Sequence, residues 1–542
     1  AQVVNMTTAQ AAAITAAQVV ALSTIQVAAM ETVDLASLAT ASVAGMSTLQ
    51  VVGITTAQAA ALATAQVAAM TTLQVFAMQT ADLASLATAS VQAMTTLQVV
   101  ALNTWSVVAL TSNQVAALTA SQVSSMNTWQ FAALETFDVA ALATSAVAAL
   151  TTAQVVNMTT AQAAAITAAQ AAAIATTQVF YMETRDLAVL ATASVLALTT
   201  LQVAALSSRA VTALTSVQAL VLSTAQISSM STLQVAALAT SAVAVLATSD
   251  VAILNTLQVV GLSSLQVQAL STLQVVALDT NQVYALETFD LAAMATSGVQ
   301  ALTTLQIAAL SSRAVTALTS VQAFVLSTAQ ISSMSTLQVA ALATSAVAVL
   351  ATSDVAILNT LQVVGLSSLQ VQALSTLQVV ALDTNQVYAL ETFDLAAMAT
   401  SGVQALTTLQ IAALSSRAVT ALTSVQAFVL STAQISSMST LQVAALATSA
   451  VAVLNTNNVV TLSTLQVAGL SSLQALALTT LQVVALTTAQ VYAMETAEVA
   501  ALATSGIALL ATAQLLALRS EQAAALTSAQ VVALTTLQIA AM

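Results

Sequence analysis

Apolar and polar positions follow one another along this chain with a period of eight and no slip. From Thr7 to Met542 the residues fall into 67 consecutive octads with the consensus T-T-x-Q-V-x-A-L. Position 8 is Leu, Met or Ile in every octad. Position 5 is Val, Ala, Leu, Ile or Phe, and position 2 is Thr, Ser or Ala. Repetition this strict describes a solenoid or fibre, in which each unit buries its apolar face only by stacking on its neighbours. Residues 1–542 read as one uninterrupted array. The chain opens inside an octad at Ala1, so we expect a segment of a longer array.

One continuous helix does not fit this period. Eight residues at about 100° each leave a drift of about 80° per octad, so the apolar positions would spiral over every face. Short, broken helices fit better. With position 1 as the N-cap, Gln falls three residues later, the capping-box spacing. The Leu closing one octad and the Val of the next then form a hydrophobic staple across the cap, as at Leu22, Ser23, Gln26 and Val27. Ala, Gln, Leu and Met favour helix, and Pro is absent. The predicted fold is therefore all-α, a solenoid or superhelix with one very short helix per octad. Helices this short are unstable alone and need the Val and Leu positions to stack into a core. The small position 7 would let neighbours approach closely. A β-solenoid is the alternative, since Thr and Val suit strands, but the Gly, Asn and Asp of tight corners are scarce.

A second period lies over the first. Octads that begin Ala-Thr and lose the Gln occur at Ala39, Ala87, Ala143, Ala191, Ala239, Ala295, Ala343, Ala399, Ala447 and Ala503, six or seven octads apart. Residues 207–310 and 311–414 differ only at Leu220 against Phe324, a duplication of 104 residues, or 13 octads. The mean return of six and a half octads describes one wide turn or two turns of three and a quarter. We prefer the narrower coil, because three short helices enclose a core that Val and Leu can fill at native density. The Ala-Thr octads read as a flat packing stripe where another chain or region approaches.

Composition changes the picture in three ways. Charged residues make up only 4% of the chain, against 59% hydrophobic, so a surface of Thr, Ser, Gln and Ala must face solvent, with little repulsion to hold chains apart. Uninterrupted apolar runs stay short, as at Ala242 to Ala247, whereas a spanning helix needs about 20 residues, which excludes transmembrane insertion by helices. Five Arg, no Lys and a net charge of −13 leave no basic patch for nucleic acid. His and Cys are absent, which removes the usual general base and thiol nucleophile, and no enzyme is expected.

The acidic octads supply the remaining candidate chemistry. They hold Glu31 and Asp34, Glu135 and Asp138, Glu183 and Asp186, Glu287 and Asp290, Glu391 and Asp394, and Glu495 and Glu498, often after an aromatic such as Tyr284 or Tyr388. They could form a row of Ca²⁺ sites, or an acidic stripe meeting Arg209, Arg313 and Arg417 of a neighbouring chain. Calcium wants six to eight oxygens, so two carboxylates per octad are few. An acid in the first turn of a helix also needs no ligand to explain it. Trp105 and Trp129 read as packing residues, and Met at position 8 as core.

The runs Leu150 to Val156 and Leu526 to Leu534, with Glu287 to Ala292, resemble octapeptide-repeat arrays of very large secreted bacterial proteins, often labelled calcium-binding, haem-utilisation or adhesin-like. That resemblance implies secretion and a surface location. The expected function is structural: an extracellular filament, sheath or adhesin stalk built by self-association. The alternative is a binding module whose regular Thr rows match ice or a polysaccharide.

Overall fold

A computed structural model describes residues 3–542, apart from the side chain of Ala541. Among these residues there are 67 α-helices of four to six residues and no strand, from Thr8–Ala12 to Thr536–Ala541. One helix falls in each octad, starting at position 2, as the capping argument predicts. The chain forms two compact units, Ala1–Ala277 and Leu278–Met542, built in the same way.

Each helix begins where position 1 is extended, and in most octads its side chain caps the turn. In the first unit, Thr55 Oγ1 accepts from the Gln58 N–H at 3.2 Å, and Gln58 Oε1 accepts from the Thr55 N–H at 2.9 Å. In the second, Ser375 and Gln378 form the same reciprocal pair at 3.3 and 2.8 Å. Each helix ends because position 8 turns back to an extended backbone, near φ −63° and ψ 136° at Leu382. No residue takes a positive φ and no peptide bond is cis among the described residues, so the chain breaks its helices without glycine or proline. The extended Leu points inward, and position 5 of the next helix joins it. Val and Leu at these two positions are buried along both units, with Met interchangeable for Leu at Met30 and Met398.

Within each unit a helix packs on the third helix after it. Thr32–Ser37 lies against Thr56–Ala61, which lies against Thr80–Ser85. In the second unit Thr376–Ala381 lies against Thr400–Ala405. Successive coils therefore stack after about three helices, the narrower of the two windings. The small position 7 serves this stacking. A Cβ built on Gly365 would lie 2.6 Å from Thr336 Cγ2, the position 2 side chain three helices earlier.

The Ala-Thr octads are closed from the inside. Their position 4 is Ser, Ala or Gly, and it is buried, as at Ser90, Ala146 and Gly506. A Cβ on Gly506 would lie 2.9 to 3.0 Å from three carbons of Val483, three helices back. That branched side chain cannot rotate all three away. Gly506→Ala should therefore cost about 1–3 kcal/mol of local stability. Amide exchange across residues 479–510 measures the loss, and adding Val483→Ala should recover part of it. Equal protection in Gly506→Ala and the native chain would refute the close packing.

Candidate interaction surface and buried position 4

A helix of five or six residues is nearly all ends, with most of its N–H and C=O groups lacking an internal partner. Position 4 resolves this for two helices at once. The Gln58 carboxamide, already accepting from its own cap, donates through Nε2 to the carbonyls of Val27 at 2.9 Å and Met30 at 2.8 Å. In the second unit, Gln378 Nε2 donates to Val347 O at 3.0 Å and Leu350 O at 2.8 Å. These carbonyls lie 31 and 28 residues earlier, at the C-terminus of the helix four octads back. With helix packing at three octads and this bond at four, a coil takes between three and four helices. The Gln side chains are almost wholly buried, 1% exposed at Gln58 and 2% at Gln378. The capping box explained only half of their role. The signal for the other half was the choice of amide: Glu serves a capping box as well as Gln, yet among position 4 residues Glu appears only at Glu498.

The acidic pairs are split across the wall of the coil. Glu31, Glu135, Glu287, Glu391 and Glu495 stand at exposed N-caps, and Glu183 is half-buried. None of the six makes a side-chain cap bond. Their partners Asp34, Asp138, Asp186, Asp290, Asp394 and Glu498 occupy the buried position 4. The N-cap carboxyl of a pair is thus the more open to solvent, yet the two stay close enough for Arg185 to reach both Glu183 and Asp186, at 2.8 and 3.8 Å. Among the described residues no three acidic or other metal-ligating side chains converge. The N-cap is extended and the residue three later is turned inward, so the two members of a pair differ in exposure.

Shorter than Gln by one methylene, the buried aspartates find other donors. Asp138 accepts from the Ser112 hydroxyl at 2.9 Å, and Asp354 from Thr328 at 2.9 Å. The Glu391 N–H donates to Asp394 at 3.2 Å. No protein group donates to Oδ2 of Asp82 or Asp138, or to either oxygen of Asp186. Burial pushes these carboxyls up from their ordinary range. The Asp82, Asp138 and Asp394 carboxyls are raised, with hydrogen bonds partly opposing the shift at the last two. Burial lifts Asp186 to about 6 against the pull of Arg185, and lifts Glu498 to about 7. Loss of solvation disfavours the charged form at each.

Outside, the chain presents a ridge that the periodic reading missed. Position 3 points away from the core and is often Leu, 69% exposed at Leu361 and 70% at Leu377. Trp105 and Trp129 also stand at position 3, 78% and 79% exposed, so their reading as packing residues is wrong. Two residues before the inward position 5, the helical rotation of about 200° turns position 3 outward. The ten alanines of the Ala-Thr octads are N-caps at the surface. Ala39, Ala87 and Ala191 are exposed, and the other seven are half-buried.

Aromatic side chains open clefts beside the acidic octads. One of about 510 Å³ lies between Tyr284, Asn281, Ser311 and Leu337, and its counterpart of the same size lies between Tyr388, Asn385, Ser415 and Leu441. On the other side of Tyr284 a cleft of about 440 Å³ reaches Glu287, Phe289 and Arg313.

Seven segments, residues 27–64, 75–112, 181–216, 243–280, 283–320, 347–384 and 387–424, match the ALTTAQ repeat family. No curated protein and no solved structure matches the chain. These segments are similar to ALTTAQ repeats, and in them a Gln at position 4 ties its helix to the coil before it, as at Gln58 and Gln378.

Proposed function

We propose that this ALTTAQ-repeat chain is a structural, non-catalytic protein that self-associates into an extracellular filament, sheath or adhesin stalk. The observation that carries the reading is the outward ridge of position 3. Apolar side chains at about 70% exposure recur through both units, as at Leu49, Leu97, Leu361 and Leu465. Extended apolar surface of this kind marks a contact face, and a chain with 4% charged residues has little to oppose contact. The resemblance to arrays of large secreted bacterial proteins supports the extracellular location. No helix among the described residues is long and apolar enough to cross a membrane, in keeping with an assembly of the arrays themselves.

The rival reading, Thr rows laid against ice or a polysaccharide, has less to work with. Position 1 hydroxyls accept helix caps, as at Thr55 and Thr407, and are spent on the fold.

Sedimentation and electron microscopy of the purified chain test the reading. Concentration-dependent assemblies are expected. Replacing Leu361, Leu377, Leu465 and Leu481 by Ser should weaken association at least about tenfold while leaving the helical circular dichroism unchanged, since all four are exposed. A native chain that stays monomeric at high concentration would sink the proposal.

A further inference from the structure

Tyr and Arg are rare in this chain, and they are not scattered. All four Tyr and all five Arg of its 542 residues fall within four short stretches, 181–209, 284–313, 388–417 and 492–519. Glu183, Glu287, Glu391 and Glu495 recur among them at intervals of 104 residues. So do Tyr284, Tyr388 and Tyr492, and Arg209, Arg313 and Arg417. The interval is 13 octads, which is four turns at three and a quarter octads each.

The second and third stretches are open. Glu287 caps Thr288–Ala293, and Arg313 lies on Ser312–Val315, the helix packed three further along. Both line the 440 Å³ cleft with Tyr284 and Phe289, which are 65% and 76% exposed. Yet Glu287 and Arg313 do not pair. Among the described residues the only ion pairs are those of Arg185 with Glu183, at 2.8 Å, and with Asp186, at 3.8 Å. Glu391 and Arg417 hold the same places on Thr392–Ala397 and Ser416–Val419, which also pack together, and Tyr388 and Phe393 are 65% and 75% exposed. In the first and last stretches one Arg of each finds a partner within its own stretch. Arg185 neutralises Glu183, and Arg519 donates to Met494 O at 2.7 Å while lying 5.7 Å from the Tyr492 ring.

An unpaired acid and an unpaired guanidinium in one cleft are complementary to a copy of the same cleft turned through a half-circle. We propose that the Tyr284–Glu287–Arg313 and Tyr388–Glu391–Arg417 clefts are the docking points for a second copy of this chain, related by a two-fold axis. Arg313 of each copy then meets Glu391 of the other, and Arg417 meets Glu287. This rests on the self-association reading and deepens it, because it fixes where and in what register two chains meet. A two-fold contact presents the same surface from both sides. Two clefts engaged together fix the register and make the second contact intramolecular. Tyr and Arg are also the side chains that most often anchor interfaces once water is excluded.

Charge exchange tests this with two variants. One carries Glu287→Arg and Glu391→Arg, the other Arg313→Glu and Arg417→Glu. All four sites are surface positions, and circular dichroism checks that each variant folds. Each alone should associate at least about tenfold more weakly than the native chain, since like charges now meet. The equimolar mixture should regain native association as a mixed pair. Two variants that each associate like the native chain would overturn the proposal and leave ridge-driven assembly standing. Loss in both variants without rescue on mixing would also overturn it, because the clefts then do not face each other. A native chain that is monomeric, with or without binding to a uronic-acid polysaccharide, would remove this proposal together with the self-association reading.

Discussion

Gln378→Glu should weaken the coil around it by about 3 kcal/mol at pH 8 and by much less at pH 5. The substitution preserves shape and keeps the cap, since a carboxylate oxygen still accepts from the Ser375 N–H. What it removes is the donor to Val347 O and Leu350 O. In its place stands a buried oxygen facing two carbonyl oxygens, and a buried charge without a partner costs several kcal/mol. Protonation restores a donor. Burial raises the carboxyl, so the folded state holds its proton to a higher pH than the unfolded chain. The native-like stability is then present at low pH and is lost as pH rises through the folded value. Gln378→Met separates the contributions. It fills the same space, loses the cap and both inter-coil bonds, and should cost about 2 kcal/mol with no dependence on pH. Hydrogen exchange over residues 343–382 reads both, because a tandem array opens locally and has no single unfolding free energy. A Gln378→Glu loss that is the same at pH 5 and pH 8 would show that the donor does not matter.

Glu498→Gln is the reverse experiment, and it should stabilise. Glu498 is 4% exposed and accepts from the Glu495 N–H at 2.9 Å, as a Gln would. By the register of 31 and 28 residues seen at Gln378, a Gln at this position would reach the carbonyls of Val467 and Leu470. Its carboxyl is held at about 7 against an ordinary 4.5, chiefly by burial, with Glu495 adding to the rise. A raised acid contributes full stability below its unfolded value, and that contribution drains away between about 4.5 and 7. Above pH 7 the native chain carries the whole penalty and Glu498→Gln none. The expected gain is of order 2 kcal/mol at pH 8 and close to nothing at pH 4. Protection of the amides of residues 463–502, followed across that range, decides it. A gain that persists undiminished at pH 4 would assign the effect to packing instead.

Much of this architecture was legible because the octad repeats its own evidence. A single S/T-x-x-Q match is common, but the same match in register along the chain locates the start of every helix, and the flanking Leu and Val then locate the core. The return of the Ala-Thr octads left two coil widths open, and only the argument from core filling favoured the narrower one. The inter-coil role of Gln was hidden because a local explanation already accounted for it. A bond from Gln378 to Leu350 leaves no mark on neighbouring residues, only a preference for amide over acid. The exposure of the acids was unmarked for a related reason. Glu287 and Asp290 stand three apart, which on a long helix puts them side by side. On a helix that begins between them, one faces water and the other the interior. The exposed Trp105 and Trp129 went unrecognised because bulk was taken to mean burial, although position 3 is turned away from the Val and Leu that define the core.

The Gln bonds also set how this polypeptide answers a pull. Each joins residues no more than 31 apart, and none ties distant coils together. Tension along either unit is therefore carried from coil to coil in series, and one coil can open while its neighbours hold. Opening three and a quarter octads frees 26 residues, about 90 Å of extended chain. A strand of such coils would lengthen in steps and rewind when released, a spring held at each Gln-bearing octad by one carboxamide.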